Sequence, residues 1–353
     1  MKPGPSNTPG SIAPDRLTPD RPGWGERGLI AAIRQRLPAA PAWLVAGPGD
    51  DAAVVEPERG ALELLTTDAV VEGVHFDRRF SSLADVGWKA LAVNLSDIAA
   101  MGGTPRVALL SLGLPSAITP ADVDALVGGF LALAAEARVT LAGGNITRSP
   151  GPLWVDVTVT GFARRRHVLL RGGAKAGEDL YVTGEVGSAA AGLGWLRAGG
   201  ADLSSAPVGI AACAERHRRP QPRVRIGALL GRNRAASACM DLSDGLADAV
   251  RQLAQASGVG ARVDGTALPI AAAGRDWFRA RGEDPASSAA AGGDDYELLF
   301  AVPRRGRSRL ATVIRQARGV PITKIGVLTA EPDLVLVQAG AETPLPEGFT
   351  HLG

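Results

Sequence analysis

The chain has 353 residues, of which 46% are hydrophobic and 21% charged, and its formal net charge is +2. This length predicts two domains, and the composition is that of an ordinary globular protein. The near-neutral charge provides no basic field for nucleic acid, and no run of 18 or more apolar residues predicts a membrane span. The only two cysteines, Cys213 and Cys239, suit a reducing compartment, so we expect a cytoplasmic location.

The first 22 residues contain six prolines and no apolar run, which predicts a disordered tail and not a signal peptide. Beyond them, the spacing of apolar residues predicts interleaved helices and strands. The predicted helices span residues 26–37, 83–101, 119–137, 188–197, 208–217, 223–230, 246–257 and 307–318. The predicted strands span 52–55, 61–65, 106–114, 139–141, 154–163, 179–183, a segment ending at 241, 296–302, 322–328 and 334–338. This order indicates an α+β fold.

A basic run at residues 164–171 separates the two predicted domains. It follows a strand in which valines alternate with polar residues, and it precedes a glycine-rich stretch at 172–177. We interpret 164–166 as a solvated linker. The predicted organisation is therefore a tail at 1–22, an amino-terminal domain at 23–163 and a carboxyl-terminal α+β domain at 164–353.

Short clusters of acidic residues lie at the edges of several apolar segments. The predicted strand at 61–65 is followed by Thr66, Thr67 and Asp68, and similar clusters occupy 49–51, 94–97, 241–245 and 292–295. A single cluster of this kind is typical of a turn or a helix cap. Two carboxylates about 4 Å apart, however, repel each other by about 4 kcal/mol at an effective dielectric of about 20. Converging acids therefore need cations, and their hard oxygens suit Mg²⁺, which predicts a multi-metal site that handles phosphate.

The known phosphate-binding motifs are absent from the sequence. There is no G-x-x-x-x-G-K-[ST] segment, no kinase H-R-D or D-F-G set and no G-x-G-x-x-G after a predicted strand. The four histidines are scattered without zinc spacing. Phosphate chemistry in this chain would therefore depend on its acids and on metal ions.

Eight motifs occur in an informative order and spacing. They are GPGDDAA at 47–53, TTD at 66–68, EGVHF at 72–76, KALAVNLSDIAAMG at 89–102, GGNITRS at 143–149, RRPQPR at 218–223, DLSDGL at 241–246 and GGDDYEL at 292–298. Together they resemble the thiamine-monophosphate kinase family. Selenophosphate synthetase and the hydrogenase maturation factor share the Asp-rich scheme. However, the first would need a reactive residue near the amino end and the second a cysteine at the carboxyl end, and no cysteine lies in either place.

The resemblance implies an α+β fold whose amino-terminal α/β domain binds ATP and Mg²⁺ and forms a homodimer through a β-barrel shared by two subunits. The implied reaction transfers a phosphoryl group in line from ATP to thiamine monophosphate, which gives thiamine diphosphate and ADP. The acceptor phosphate is already ionised, so no catalytic side chain is expected and positioning with metal ions suffices. No nucleic acid or membrane partner is implied.

The resemblance also assigns roles to individual residues. The implied Mg²⁺ ligands are Asp50, Thr66, Thr67, Asp68, Asp97, Asn145, Asp241 and Asp244. The implied ATP contacts are Gly144, Asn145, Arg171 and Ser243, and the implied thiamine monophosphate contacts are His75, Asp294 and Phe349. For Asp97 the alternative is an ordinary polar helix residue, and for Phe349 it is simple packing.

One position departs from the family pattern. Asn145 occupies a place where the family usually has Asp, and its amide oxygen can coordinate Mg²⁺ but contributes no charge. Two alternatives to the kinase therefore stay open. One is a catalytically inactive dimer that binds a nucleotide or a thiamine phosphate, and the other is a relative in the same superfamily with a different acceptor.

Overall fold

The structure is a computed structural model that describes residues 25–48, 52–200 and 206–348. The predicted tail and the site candidates Asp50 and Phe349 lie outside these ranges. Helices and strands are mixed throughout the described residues, which confirms the α+β class. The domain boundary at residue 164 stays a prediction.

The bounds of the elements are as follows. The helices are α1 (Glu26–Arg36), α2 (Leu83–Ala100), α3 (Pro120–Ala137), α4 (Ser188–Arg197), α5 (Val208–Arg218), α6 (Val224–Asn233), α7 (Leu246–Ser257), α8 (Ala272–Ala280), α9 (Pro285–Ala291) and α10 (Arg307–Gln316). The strands are β1 (Leu44–Ala46), β2 (Val54–Val55), β3 (Leu62–Val71), β4 (Thr104–Leu114), β5 (Thr140–Arg148), β6 (Trp154–Ala163), β7 (Asp179–Thr183), β8 (Ala238–Asp241), β9 (Gly260–Asp264), β10 (Leu298–Val302), β11 (Ile322–Thr329), β12 (Leu334–Gln338) and β13 (Ala341–Pro344).

Two strands are longer than the sequence predicted. β3 does not end at residue 65, because its backbone pairs with β6 as far as Val71. β5 does not end before its glycines, because Gly143, Gly144 and Asn145 pair with β4. The polar residues at these places therefore lie inside strands, where successive side chains point to opposite faces of the sheet.

The amino-terminal half forms a four-stranded sheet in the order β3-β6-β4-β5. Val155, Val157 and Val159 of β6 alternate with half-exposed polar residues and are fully buried in a core shared with α2 and α3. Both helices begin with capping boxes, at Ser82 for α2 and at Thr119 for α3. On the opposite face of this sheet, where none of the helices in the described ranges packs, Leu65 is 73% exposed.

The carboxyl-terminal half forms a seven-stranded sheet in the order β13-β12-β9-β11-β7-β10-β8. Alternate residues of β8 and β10 enter two separate cores. Met240 and Leu299 pack in one core with α4 and α7, whereas Cys239 and Phe300 pack in the other with α6 and α10. Asp241, the last residue of β8, thus lies at one end of a sheet that is covered on both sides.

Helix α2 connects the two halves, and fifteen of its 18 residues are buried. Asp85 pairs with Arg218 at 2.8 Å and with Arg219 at 2.5 Å, and the indole of Trp88 donates to the carbonyl of Pro220 at 2.9 Å. Such contacts fix α2 against the end of α5 and the segment that joins α5 to α6. Among the described residues, no helix combines the length and apolarity needed to cross a bilayer. The cytoplasmic location stays a prediction.

Candidate active site

A cleft of about 910 Å³ lies between the two halves of the chain. β3, the loop at 73–80 and α2 form one wall, and α4, the end of β8 and the loop at 291–294 form the other. Eight of the residues singled out in the sequence line it, namely Asp68, His75, Asp97, Arg171, Asp241, Ser243, Asp244 and Asp294. The fold therefore collects candidates that are up to 226 positions apart (294 − 68) into one cavity.

Three carboxylates meet at one end of the cleft. Asp68 comes from the face of β3 that packs on α2, Asp97 from α2 and Asp241 from β8. Hydroxyl groups orient two of them, since Thr66 donates to Asp97 at 2.5 Å and Ser96 donates to Asp241 at 2.7 Å. This arrangement explains why Thr66 and Asp68, two apart on one strand, act on the same side of the sheet.

The electrostatics of this end are unfavourable without a cation. Burial, together with the charges of Asp97 and Asp241, raises the pKa of Asp68 to about 7. Burial and the charge of Asp97 likewise raise the pKa of Asp241 to about 7, and burial raises the pKa of Asp97. Arg171 lowers the pKa values of Asp97 and Asp241, but its single charge does not offset these effects.

The donor set at this end fits Mg²⁺. Carboxylate and hydroxyl oxygens are hard ligands, and the excess of negative charge is what a divalent cation would neutralise. Across the described ranges, however, no three His, Cys, Asp or Glu side chains are already arranged so that they could hold a metal ion. The hydroxyls of Thr66 and Ser96 hold two of the carboxylates, so a cation would have to compete with these bonds or share the remaining oxygens.

A stability measurement tests this electrostatic state. The pKa values of Asp68 and Asp241 in the folded chain lie above the usual value of about 3.9, so the folded state favours their protonated forms. The contribution of these protonated acids to the free energy of unfolding is therefore complete below about pH 4 and is lost as pH rises through about 7. Mg²⁺ favours the ionised carboxylates, so we expect it to raise the Tm, relative to EDTA, more at about pH 8 than at about pH 5. The Asp68→Asn/Asp241→Asn variant should lose this difference. An equal effect of Mg²⁺ at both pH values in the native chain would contradict the assignment.

A second group of residues occupies another part of the cleft. Asp294 has a left-handed backbone with φ of 69°, and its carboxylate accepts hydrogen bonds from Lys89 at 2.8 Å and from Tyr296 at 3.1 Å. His217 Nδ1 lies 3.1 Å from the same carboxylate. Burial would raise the pKa of Asp294, but Lys89 and His217 outweigh it and hold that pKa well below its usual range. Asp294 therefore presents a fixed negative charge to the cleft.

Sequence reasoning missed Lys89 and His217. Both lie in or beside the recognised motifs, but neither was given a role. A sequence signal for Lys89 was available, because this lysine lies among apolar residues of a predicted helix, between Trp88 and Leu91. In the structure all three residues are buried. A lysine is almost never fully buried unless it is paired, so this position pointed to a distant carboxylate.

Two of the predicted metal ligands, Thr67 and Asn145, do not join the acid cluster in the described chain. Thr67 points to the open face of the sheet, where its hydroxyl lies 3.1 Å from Asp156 Oδ1 and 3.2 Å from Thr158 Oγ1. Asn145 is exposed on β5, and β6 and β4 lie between β5 and β3. Three strand spacings amount to about 14 Å. The metal roles of Thr67 and Asn145 stay predictions.

The structure explains why position 144 is a glycine, which the sequence alone did not reveal. A Cβ at this position would lie 1.8 Å from the carbonyl oxygen of Leu110 on β4, so no larger residue fits between the paired strands. The neighbouring strand is therefore sufficient to explain the glycine, and close approach of a phosphate group is not needed as the reason. Its role in binding ATP stays a prediction.

Two family models match most of the described chain. The model "AIR synthase related protein, N-terminal domain" matches residues 49–163, and "AIR synthase related protein, C-terminal domain" matches residues 175–338. The two matches cover the four-stranded sheet with α2 and α3 in the first case, and most of the seven-stranded sheet in the second.

Individual proteins match over nearly their whole length. The thiamine-monophosphate kinase of Rhodopirellula baltica is 32% identical over 92% of this chain and 97% of its own. That of Salmonella typhimurium is 40% identical over 87% of this chain and 91% of its own. The solved structure of AaThiL complexed with AMPPCP and TMP superposes with a TM-score of 0.73 at 31% identity, over 95% of this chain and 100% of that chain.

Proposed function

Because this chain belongs to the thiamine-monophosphate kinase family, we propose that it transfers the terminal phosphoryl group of ATP to thiamine monophosphate and releases ADP. The resemblance of its eight motifs is thereby confirmed. The observation that carries the assignment to this chain is the cleft itself. Three carboxylates whose pKa values are raised occupy one part of it, and Asp294, whose pKa is lowered, occupies another. Such a cavity suits an acceptor that is anionic at one end and cationic at the other.

Different residues of the cleft would bind the metal, ATP and the acceptor. Asp68, Asp97, Asp241 and Asp244, with Thr66, would hold Mg²⁺, which when bound neutralises the two polyanions that must meet. Arg171 and Ser243 line the cleft beside these acids and would contact the phosphates of ATP. Asp294 would face the positively charged thiazolium ring, with His75 beside it. The chain supplies position and charge, and it needs no nucleophile of its own.

The open face of the four-stranded sheet supports a homodimer as part of this proposal. Leu65 is 73% exposed and Leu109 is 37% exposed on this face, where Thr67 and Asn145 also lie. Pairing this face with that of a second copy would cover the leucines. It would also give Thr67 and Asn145 new neighbours, which is how they could take part in a site that one copy does not complete.

Acceptor choice tests the function. We expect the purified protein with ATP and Mg²⁺ to release ADP when thiamine monophosphate is added and to release little with unphosphorylated thiamine, because the acid and metal end is suited to an anionic acceptor. ADP release by a coupled assay, with thiamine diphosphate identified by chromatography, measures both. Equal rates with thiamine would indicate another acceptor, and no turnover at any Mg²⁺ concentration would indicate the inactive binding dimer.

A further inference from the structure

Lys89 is one of the largest fully buried side chains in the described part of the molecule, and only 2% of it is exposed. It belongs to the middle of α2, a helix whose other buried residues are mostly apolar. Burying an ammonium group is costly unless it is paired and hydrogen-bonded. The contacts of Lys89 should therefore explain why a lysine is kept in this core.

The ammonium group connects two segments that both line the cleft. Lys89 Nζ donates to the carbonyl oxygen of His75 at 2.9 Å and to Asp294 Oδ2 at 2.8 Å. His75 belongs to the loop after β3 in the amino-terminal half, and Asp294 to the loop before β10 in the carboxyl-terminal half. One cation thus fixes one residue from each wall of the cavity.

Asp294 depends on this contact more than an ordinary surface acid would. Its backbone is left-handed, with φ of 69°, which is unfavourable for a residue with a side chain and persists only where surrounding contacts hold it. Its oxygens are held by Lys89 and Tyr296, while its side chain remains 26% exposed toward the cleft. The lysine therefore holds the direction and the charge of a group that faces the acceptor.

We propose that Lys89 is a positioning residue for the phosphate-accepting substrate, acting chiefly through Asp294 and secondarily through the His75 loop. This inference rests on the proposed kinase function. His75 and Asp294 line the cleft and the buried Lys89 does not, so its ammonium would touch neither the acceptor nor ATP, and its effect would be confined to the acceptor half of the cleft. ATP use should be largely independent of it, because the acid cluster has its own hydroxyl partners in Thr66 and Ser96.

The test compares Lys89→Met in two backgrounds. We expect Lys89→Met to raise the KM for thiamine monophosphate by about 10-fold in the native chain, with a smaller change in the KM for ATP. The reason is that Asp294 loses its ammonium partner, although its contacts with Tyr296 and His217 remain. In an Asp294→Asn background the same change should raise the acceptor KM by no more than about 2-fold, because the interaction is already lost. Calorimetric Kd values for the acceptor should follow the KM values.

Arg219→Met is the matched control. It also removes a cation that contacts α2 across the two halves, through Asp85, but it touches neither His75 nor Asp294. We expect it to lower the Tm and leave the acceptor KM within about 2-fold. If Lys89→Met does not fold, the double variant with Asp294→Asn leaves no unpaired buried charge and is compared with Asp294→Asn alone.

The outcomes separate this inference from the function on which it rests. An active native chain in which Lys89→Met leaves the acceptor KM unchanged, or raises it equally in both backgrounds, overturns the positioning role alone. An equal rise in Arg219→Met would show that general loosening of the two halves is the cause, and it overturns the role as well. A native chain that does not turn over thiamine monophosphate overturns the proposed function and this inference together.

Discussion

Replacing Asp241 with Asn is expected to lower kcat by at least about 100-fold, because it removes a charge that holds metal beside the transferred phosphoryl group. The exchange keeps the shape of the side chain, and the amide oxygen can still accept the 2.7 Å hydrogen bond from Ser96. It also removes the charge whose burial, together with repulsion by Asp97, raises the pKa of Asp241 to about 7. The Tm in EDTA at neutral pH should therefore stay the same or rise. Steady-state kinetics at saturating Mg²⁺, with thermal unfolding of the same sample, measures both effects.

Asp179→Asn is the matched control for this prediction. Asp179 is as buried as Asp241, at 4% against 5% exposure, and it also lies at the end of a strand in the seven-stranded sheet. Its partners are Arg307 and Lys324, away from the cleft. We expect the control to lose stability and keep its kcat within about 2-fold. A near-native rate for Asp241→Asn at saturating Mg²⁺ would remove Asp241 from the metal site.

The second large effect concerns the contact between α2 and α3. A Cβ on Gly87 would lie 1.9 Å from the carbonyl oxygen of Leu126, and a Cβ on Gly129 would lie 1.8 Å from that of Ala84. The two helix backbones therefore touch, and even one methyl group must separate them. We expect Gly87→Ala to cost about 3 kcal/mol or more, at the upper end of overpacking effects. Denaturant unfolding at constant m-value measures the loss.

Gly274→Ala provides the comparison for the same substitution. Gly274 is also a buried glycine within a helix, but a Cβ there would meet the methyl group of Ala191 at 3.6 Å, which is ordinary contact. We expect a gain of about 0.5 to 1 kcal/mol from the better helix propensity of alanine. If both variants lose the same free energy of unfolding, backbone contact is not the reason for Gly87.

Local sequence signals predicted the elements whose apolar residues recur with the period of a helix or a strand and form one buried face. The alternating valines of β6 and the apolar spacing of α2 identified these elements to within one residue at each end. Short elements without such a pattern were not predicted, including α8, α9 and β9. In α9 a run of alanines and serines has no apolar stripe, so its start was not recognised. It begins after Asp284, whose carboxylate accepts a hydrogen bond from the backbone N–H of Ser287 at 2.9 Å.

The composition of the site was more predictable than its geometry. The acids that line the cleft follow from the motifs, but the face on which each side chain lies depends on strand bounds that the sequence did not reveal. Extending β3 to Val71 places Thr66 and Asp68 on one side and Thr67 on the other. The partners of Lys89 were also inaccessible, because the contact with Asp294 joins residues 205 positions apart and leaves no local pattern.

The distances along the chain between α2 and its partners have a consequence for synthesis. Asp85 contacts Arg219, 134 positions later, and Lys89 contacts Asp294, 205 positions later. At about 5 to 20 residues per second, a ribosome takes about 10 to 40 s to make the last of these partners. During this interval the face of α2 that later contacts the carboxyl-terminal half still lacks the partners of Asp85 and Lys89. We therefore expect the amino-terminal half to be most prone to aggregate while the carboxyl-terminal half is being translated, and slower translation there to prolong the risk.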